Sequence, residues 1–175
     1  LKFIIDPIDG TVNFTRGISN CSISVALLDD DRIMFGVLGS FPSGLIAWGG
    51  KNLGAFIDEE PIRVSSIDDT MTGVLCTGFP SRFKFDTKNN LDQVHLMKSF
   101  NKVRMLGSAS QSLLHVAEGS VEAYFESGIM IWDIAAGLAI VEGAGGEFII
   151  DNKNFNMPLK VIATNGLISL KEFNL

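Results

Sequence analysis

The sequence has little of what builds disulfide-bonded or membrane-spanning proteins. Its 175 residues include only two cysteines, Cys21 and Cys76, and two histidines. Two cysteines cannot form a disulfide framework, and in a cytoplasm they are expected to stay reduced. No signal peptide is recognisable, and no apolar run is long enough to cross a bilayer. We therefore expect a cytoplasmic protein that has no membrane partner.

Charged residues are also scarce. They make up 19% of the chain against 46% apolar residues, a balance that excludes wholesale disorder. The net charge of -6 and the pI near 4.8 argue against a broad nucleic-acid or membrane footprint, so no nucleic-acid partner is expected. An anionic substrate is still compatible with this charge, because a bound cation reverses the local field.

The chain is unusually apolar, and its first strand begins almost at Leu1. The mean hydropathy is +0.28. Both features favour a chain that lacks an upstream part covering its apolar faces, and the alternative is an ordinary glycine-rich α/β core with few charged helices. Exposed apolar faces promote self-association, so a homodimer is expected.

The most informative stretch is Asp6-Pro7-Ile8-Asp9-Gly10-Thr11. The apolar run before it predicts a buried strand, which should stop near Asp6 because Pro7 has no amide hydrogen for the ladder. Gly10 favours a sharp turn. Two carboxylates held on that turn would repel each other, and a divalent cation such as Mg²⁺ resolves the conflict.

Two further groups of this stretch suit a metal and phosphate site. The carbonyl of Ile8 lies between the two acids and could supply another oxygen ligand, and Thr11 adds a hydroxyl where free backbone amides can bind a phosphate. The alternative is an acidic turn without a metal, since aspartate, proline and glycine are common turn residues.

A second acidic position lies late in the chain. Asp133 is predicted to be the N-cap of a buried helix of small residues that runs to Glu142, and small residues allow that helix to pack close to a sheet. Helix starts are predicted after Gly10-Thr11, at Gly107-Ser108-Ala109 and at Asp133. Each exposes unpaired amides and a positive dipole end, which suit a phosphate or metal-bound anions. For Asp133 alone, a plain helix cap is the alternative.

The order of elements predicts one domain of the α/β (α+β) class over residues 1–175. Alternating apolar positions in the first half indicate an antiparallel meander that ends in a hairpin with a strand at Ile62–Val64. Residues 80–90 carry Arg82, Lys84 and Lys88, and a solvated connection is favoured over a substrate-facing basic loop. A short final helix is expected from Leu167.

The Asp-Pro-Ile-Asp-Gly-Thr stretch with Asn13-Phe14, together with the run from Trp132 to Gly146, resembles the two motifs of the inositol monophosphatase family. Each motif is weak alone, but their order and separation match that family of magnesium-dependent, lithium-sensitive phosphatases. Weaker similarity extends the resemblance over nearly the whole chain.

The resemblance implies a fold and a site. The fold is a layered αβαβα sandwich of the inositol monophosphatase and fructose-1,6-bisphosphatase type. Catalytic roles fall on Thr11, which would position the attacking water, and on Asp9. The implied magnesium ligands are Asp6, Ile8 through its carbonyl, Asp9 and Asp133. The implied phosphate and substrate contacts are Gly10, Thr11, Gly107, Ser108, Ala109 and Glu126.

One departure from the family is large. Its members carry a Gly-Glu-Glu motif upstream of the first acidic strand, and this motif supplies a glutamate ligand to the metal. Here Glu59-Glu60 follows Asp58 in a predicted hairpin tip and is no substitute. We therefore expect the chain to be the C-terminal portion of the full catalytic unit, with weak metal binding and little turnover by itself.

The function expected from the resemblance is magnesium-dependent hydrolysis of a small phosphorylated polyol or sugar, with inositol monophosphate first. A 3'(2'),5'-bisphosphate nucleotidase or fructose-1,6-bisphosphatase activity is an alternative that needs a second anion site. A further alternative is an inactive fragment or a regulatory binding scaffold.

Overall fold

Two β-sheets enclose a layer of two helices. The computed structural model describes residues 1–79 and 87–169, with the side chains of 87–92 excepted. The first sheet contains β1 Lys2–Asp9, β2 Cys21–Asp29, β3 Arg32–Phe41, β4 Ile46–Gly50, β5 Gly54–Ile57 and β6 Glu60–Pro61. The second contains β7 Val74–Thr77, β8 Lys102–Arg104, β9 Ala123–Ile129, β10 Glu147–Ile150 and β11 Leu159–Thr164. The helices are α1 Thr11–Arg16, α2 Thr87–Ser99, α3 Ala109–Ala117 and α4 Ile131–Gly143.

The first sheet is an antiparallel meander in the order β1-β2-β3-β4-β5-β6, as the alternating pattern predicted. The second sheet is mixed, in the order β10-β11-β9-β7-β8, and β7 runs parallel to both β8 and β9. Parallel neighbours need a crossover, and α2 and α3 supply the helical connections between these strands.

The larger hydrophobic core lies between the sheets. Helix α4 is apolar on nearly every side, which is typical of a helix buried between two layers. Its side chains pack with those of α3 and with the inner faces of both sheets. A smaller cluster, which includes Phe125 and Ile162, covers the opposite face of the second sheet, and Leu96 and Met97 of α2 pack against it. The described layers therefore run sheet, α3 with α4, sheet, α2.

Strand β1 differs from its prediction in two respects. It continues through Pro7 to Asp9 instead of stopping near Asp6, because β1 is an edge strand and its register against β2 shifts between Asp6 and Asp9. Proline is tolerated at an edge or a bulge, where its missing N–H removes no ladder bond. The strand is also not buried: Phe3 is 69% exposed and Ile5 59%. Both side chains point to the outer face of the first sheet, away from α4.

Three smaller predictions also need correction or fall outside the description. The strand predicted at Ile62–Val64 is replaced by the two-residue β6, which ends at Pro61. The predicted loop 80–90 divides, since 80–86 lie outside the described residues and 87–90 belong to α2. The side chains of Arg82, Lys84 and Lys88 lie outside the description. Of the predicted final helix, residues 167–169 are described, and 167 and 168 belong to a bend.

Within the described parts of the chain, no helix combines the length and the apolar character that a bilayer crossing requires.

Candidate metal centre and substrate pocket

The bulge at the end of β1 shapes the first part of the site. The backbone N–H of Ile8 donates to Asp6 Oδ1 at 3.0 Å, so the Asp6 side chain folds back over its own turn. Gly10 follows with φ +79°, and a Cβ there would lie 2.8 Å from the carbonyl oxygen of Asn20. Both the backbone angle and the lack of space therefore require glycine. Thr11 begins α1, and its hydroxyl donates to the carbonyl of Ile8 at 2.9 Å.

Asp9 is buried and is held by the start of α3. Its Oδ2 accepts hydrogen bonds from Ser108 Oγ at 2.6 Å, from the backbone N–H of Ser110 at 2.8 Å and from the Ser110 hydroxyl. Ser108 is also the N-cap of α3, where its Oγ accepts from the N–H of Gln111. Burial raises the pKa of Asp9, and the nearby Asp6 adds to that rise, while the serine hydrogen bonds act against it.

Asn13 joins α1 to the loop before α3. Its side chain is buried, and Nδ2 donates to the carbonyls of Asn20 and Leu106, each at 2.8 Å. The adjacent Gly107 has φ +74°, and a Cβ there would lie 3.0 Å from the Asn13 amide group. A single buried amide thus fixes the separation of the Gly10–Thr11 turn and the Gly107–Ala109 loop.

Asp133 enters the site from the first turn of α4. The sequence predicted it as the N-cap, but the N-cap is Met130 and Asp133 is the third helical residue. Its Oδ2 accepts from the backbone N–H of Met130 at 3.3 Å, which is the reciprocal half of a capping box. Burial, followed by Asp9 and Asp6, raises the pKa of Asp133 to about 8.

These three carboxylates form a group with the chemistry of a cation site. Asp6, Asp9 and Asp133 each place a carboxylate oxygen within 4.8 Å of the other two. Burial, with repulsion among the carboxylates added to it, raises the pKa values of Asp9 and Asp133, so the group as it stands favours protons or a cation. Hard oxygen donors of this kind fit Mg²⁺ better than a soft transition metal.

The acidic group opens into a pocket of about 380 Å³. All residues that the sequence predicted for the site contribute to its wall: Asp6, Ile8, Asp9, Gly10, Thr11, Gly107, Ser108, Ala109, Glu126 and Asp133. Thr77, Gly78, Phe79 and Trp132 add to the wall from β7, the loop after it, and α4. Among the described residues that line the pocket, none is Lys, Arg or His.

Glu126 also lies in the wall of the pocket. It is 7% exposed, and burial is the main reason that its pKa rises to about 7. The hydroxyl of Tyr124 donates to Glu126 Oε2 at 2.8 Å. This buried carboxyl therefore has a single described side-chain partner, unlike Asp9 with its three donors.

Sequence reasoning missed several residues that shape the site. Ser110 was not among the predicted site residues, although its N–H and hydroxyl both donate to Asp9. Tyr124 precedes Glu126 by two residues on a strand, so the period of two could have placed both on one face. Thr77 and Gly78 carried no signal, since β7 lies far from both motifs in sequence.

The pKa of Asp133 predicts how stability depends on pH. Between its ordinary value of 3.8 and about 8, folded Asp133 holds a proton that the unfolded chain has released. Stability from this group is therefore present at low pH and is lost as the pH rises through about 8. We expect the melting temperature of metal-free protein in EDTA to fall between pH 5 and 9. Added Mg²⁺ should raise the melting temperature most at the upper end of this range. Scanning calorimetry between pH 5 and 9 measures both effects.

The matched controls are two aspartate replacements. Asp133→Asn removes this titrating group and should reduce the slope, with a part remaining because the pKa values of Asp9 and Glu126 are also raised in the fold. Asp31→Asn, in the exposed turn after β2, should leave the slope unchanged. An Asp133→Asn variant with the same slope as the unmodified protein would show that another group is responsible.

The chain is similar to known proteins in sequence and in fold. A sequence model described as "Inositol monophosphatase family" matches residues 1–173. The Nus factor SuhB of Xylella fastidiosa is 34% identical over 159 residues, which cover 90% of this chain. The fructose-1,6-bisphosphatase/inositol-1-monophosphatase of Thermotoga maritima is 34% identical over 177 residues, which cover 95% of this chain. The solved inositol monophosphatase of Anabaena superposes with a TM-score of 0.86 at 32% identity, over 94% of this chain and 67% of the other.

The matched regions are 58% of the Xylella protein and 64% of the Thermotoga protein. This chain thus spans less than two thirds of the length of these curated relatives. The layered α+β fold expected from the resemblance is confirmed by the superposition.

Proposed function

The chain belongs to the inositol monophosphatase family, and from that premise we propose that the protein hydrolyses a small phosphate monoester, inositol monophosphate first, in a magnesium-dependent reaction. The observation that carries the proposal is the approach of Asp6, Asp9 and Asp133 to within 4.8 Å at one end of a polyol-sized pocket. In the described wall no cationic side chain offsets their charge, so a metal ion is the fitting counter-charge.

The proposed ligands of Mg²⁺ are the carboxylates of Asp6, Asp9 and Asp133 and the carbonyl of Ile8. When bound, such an ion lowers the pKa of a coordinated water and neutralises charge on the phosphate oxygens. Ser108 and Ser110 hold Oδ2 of Asp9, which leaves Oδ1 for the ion. Asp133 must release its proton before it can bind, so metal affinity should rise with pH.

Thr11 and Gly10 have the proposed phosphate-binding and water-orienting roles. The Thr11 hydroxyl donates its hydrogen bond to the Ile8 carbonyl at 2.9 Å. The lone pairs of the hydroxyl oxygen can therefore accept a hydrogen bond from the attacking water. The first amides of α1, at the Gly10–Thr11 turn, have no acceptor within their own helix and can donate to the phosphate oxygens.

The polyol part of the substrate would lie between the Gly107–Ala109 loop and Glu126. The loop residues Gly107, Ser108 and Ala109 line the pocket, and so does Glu126. A carboxylate accepts hydrogen bonds from sugar or inositol hydroxyls. Because this wall has no described cation, a second phosphate at that end would be repelled by Glu126, which favours a monophosphate.

Two other functions have support of a specific kind. The name of the Thermotoga relative includes fructose-1,6-bisphosphatase, so a bisphosphate substrate is the second candidate. Either bisphosphate, fructose 1,6-bisphosphate or a nucleotide 3'(2'),5'-bisphosphate, needs a second anion site for its second phosphate. The Xylella relative is named as a Nus factor and not by an enzymatic activity, which supports a regulatory binding scaffold as the third.

Phosphate release by protein expressed from its complete native gene separates these candidates. We expect release from inositol 1-phosphate to depend on Mg²⁺ and to stop in EDTA, with fructose 1,6-bisphosphate and adenosine 3',5'-bisphosphate turned over at least tenfold less efficiently. Faster turnover of either bisphosphate would reassign the substrate. No magnesium-dependent release from any of the three would favour the scaffold.

We further propose that the chain forms one domain, the C-terminal portion of the catalytic unit, in a cytoplasmic homodimer. The free, buried thiols of Cys21 and Cys76 suit a reducing compartment. The exposed Phe3 and Ile5 supply apolar surface for association. Sedimentation analysis of the native-gene product would measure the oligomeric state.

A further inference from the structure

The Glu126 side chain is held in place by several contacts that do not themselves face the pocket. Tyr124 and Glu126 are two residues apart on β9, so both side chains point from the same face of the second sheet towards α3 and α4. Phe125, between them, points the other way into the smaller cluster under α2. The Tyr124 ring is completely buried, and its hydroxyl meets Oε2 of Glu126 at 2.8 Å.

The residue after the neighbouring strand β7 restricts the position of the Glu126 carboxyl group. Gly78 follows β7, and a Cβ on it would lie 2.6 Å from Glu126 Oε2 and 3.2 Å from Oε1. The Gly78 backbone therefore lies directly against the carboxyl group. Any larger residue here would displace Glu126 from its place in the pocket wall.

A second set of hydrogen bonds fixes the backbone on either side. The Thr77 hydroxyl donates to the carbonyl of Phe125 at 2.7 Å. The buried Gln93 of α2 donates to Thr77 Oγ1 at 3.1 Å and to the carbonyl of Gly78 at 3.4 Å. The segments on which Gly78 and Glu126 stand are thus joined to each other and to α2.

We propose that Tyr124 is a positioning residue that orients the Glu126 carboxylate towards substrate hydroxyls and so sets the preference for polyol phosphates. The inference rests on the proposed phosphatase function and concerns a residue that lies behind the pocket wall. Burial and the adjacent Glu126 carboxylate raise the pKa of the Tyr124 phenol well above its usual value. The phenol therefore remains a donor at any working pH, and Glu126 presents its remaining acceptor positions to the pocket.

Tyr124→Phe removes one oxygen and keeps the ring in the core, so the fold should survive. A hydrogen bond to a charged acceptor stabilises by an amount that corresponds to roughly tenfold or more in an equilibrium constant. We expect the KM for inositol 1-phosphate to rise about tenfold with kcat within about twofold. For p-nitrophenyl phosphate, which has no hydroxyls for Glu126, both constants should stay within about twofold. Magnesium affinity measured by calorimetry should be unchanged.

Gly78→Ala tests the same geometry without touching the phenol. The added Cβ would displace the Glu126 carboxyl, so this variant should show the same selective rise in KM for inositol 1-phosphate. Equal losses on both substrates in Tyr124→Phe, or no change on either, would overturn the positioning role. Failure of the proposed function is distinct: unmodified protein would then release no phosphate from either substrate in the presence of Mg²⁺.

Discussion

Replacement of Asp9 by asparagine should reduce magnesium-dependent phosphate release roughly a thousandfold or more, because a bound metal ion contributes several kcal/mol of transition-state stabilisation. The change is nearly isosteric, so the expected loss comes from chemistry and not from packing. Asp9 is the buried member of the acidic group and the one with the most hydrogen bonds. Its removal should therefore have the largest effect on activity of any single change at the site.

The three donors around Asp9 determine how an asparagine would sit. Ser108 Oγ, Ser110 N–H and Ser110 Oγ all donate to the position of Oδ2. An amide NH₂ placed there would face donors, so the carbonyl oxygen takes that position. The NH₂ group then points to the place proposed for the ion. The variant should fold and yet repel the cation.

Three measurements on the native-gene product separate this effect from misfolding. Phosphate release and magnesium affinity by calorimetry should both be lost in Asp9→Asn, while the melting temperature in EDTA is unchanged or higher. The higher value is expected because the pKa of Asp9 is raised in the fold, so its charge opposes folding at neutral pH. Asp31→Asn serves as the control. Retained turnover in Asp9→Asn would refute the metal-binding role.

The acidic residues could be identified from sequence because their local chemistry is unusual. Carboxylates beside a proline and a glycine, and another before a helix of small residues, carry a signal that does not depend on the rest of the chain. Their meeting in space depends on the register of β1 and the depth of α4, and it was indicated by the small residues of that helix and by the resemblance. The structure places the three side chains together.

Contacts between distant segments could not be predicted in this way. The serine at 110 donates to an acid 101 positions earlier, and a glycine at 78 lies against the carboxyl of Glu126. Each residue type is unremarkable in its own segment, and sheet pairing alone gives it a role. The same applies to β1, where Pro7 indicated a strand end but edge position and a bulge allowed the strand to continue.

Gly36→Ala should be the most destabilising single-methyl addition in the core, because α4 rests directly on the first sheet at this point. A Cβ on Gly36 would lie 2.2 Å from the carbonyl oxygen of Ala136 and 2.6 Å from its Cα. Both are backbone atoms and cannot move unless the helix moves. Overpacking typically lowers the free energy of unfolding by about 1–3 kcal/mol. Because the clash here is with backbone atoms, we expect a loss at or above the upper end of that range. For a chain of this size, about 3 kcal/mol lowers the melting temperature by roughly 6–12 °C.

Gly39→Ala is the matched control on the same strand. Its Cβ would meet only the Cδ1 atom of Ile46 at 3.6 Å, an ordinary contact, and β-strand alanine is easier to order than glycine. We expect its stability to equal or slightly exceed that of the unmodified protein. If Gly36→Ala melted at the same temperature as Gly39→Ala, the close approach of α4 to the sheet would be contradicted.

The same substitution should also weaken the metal site, and this links the packing to the proposed chemistry. Asp133 lies one turn before Ala136 on α4, about 4.5 Å along the helix axis. The helix is held closely at two further points. A Cβ on Gly137 would lie 2.6 Å from Leu113 Cβ of α3, and a Cβ on Gly143 would lie 2.4 Å from the carbonyl oxygen of Gly54 in the first sheet. Because the helix is held at these points, displacement at Gly36 must tilt or shift it, and Asp133 moves relative to Asp6 and Asp9. Calorimetry at a temperature where Gly36→Ala is still folded should therefore show weaker magnesium binding than Gly39→Ala.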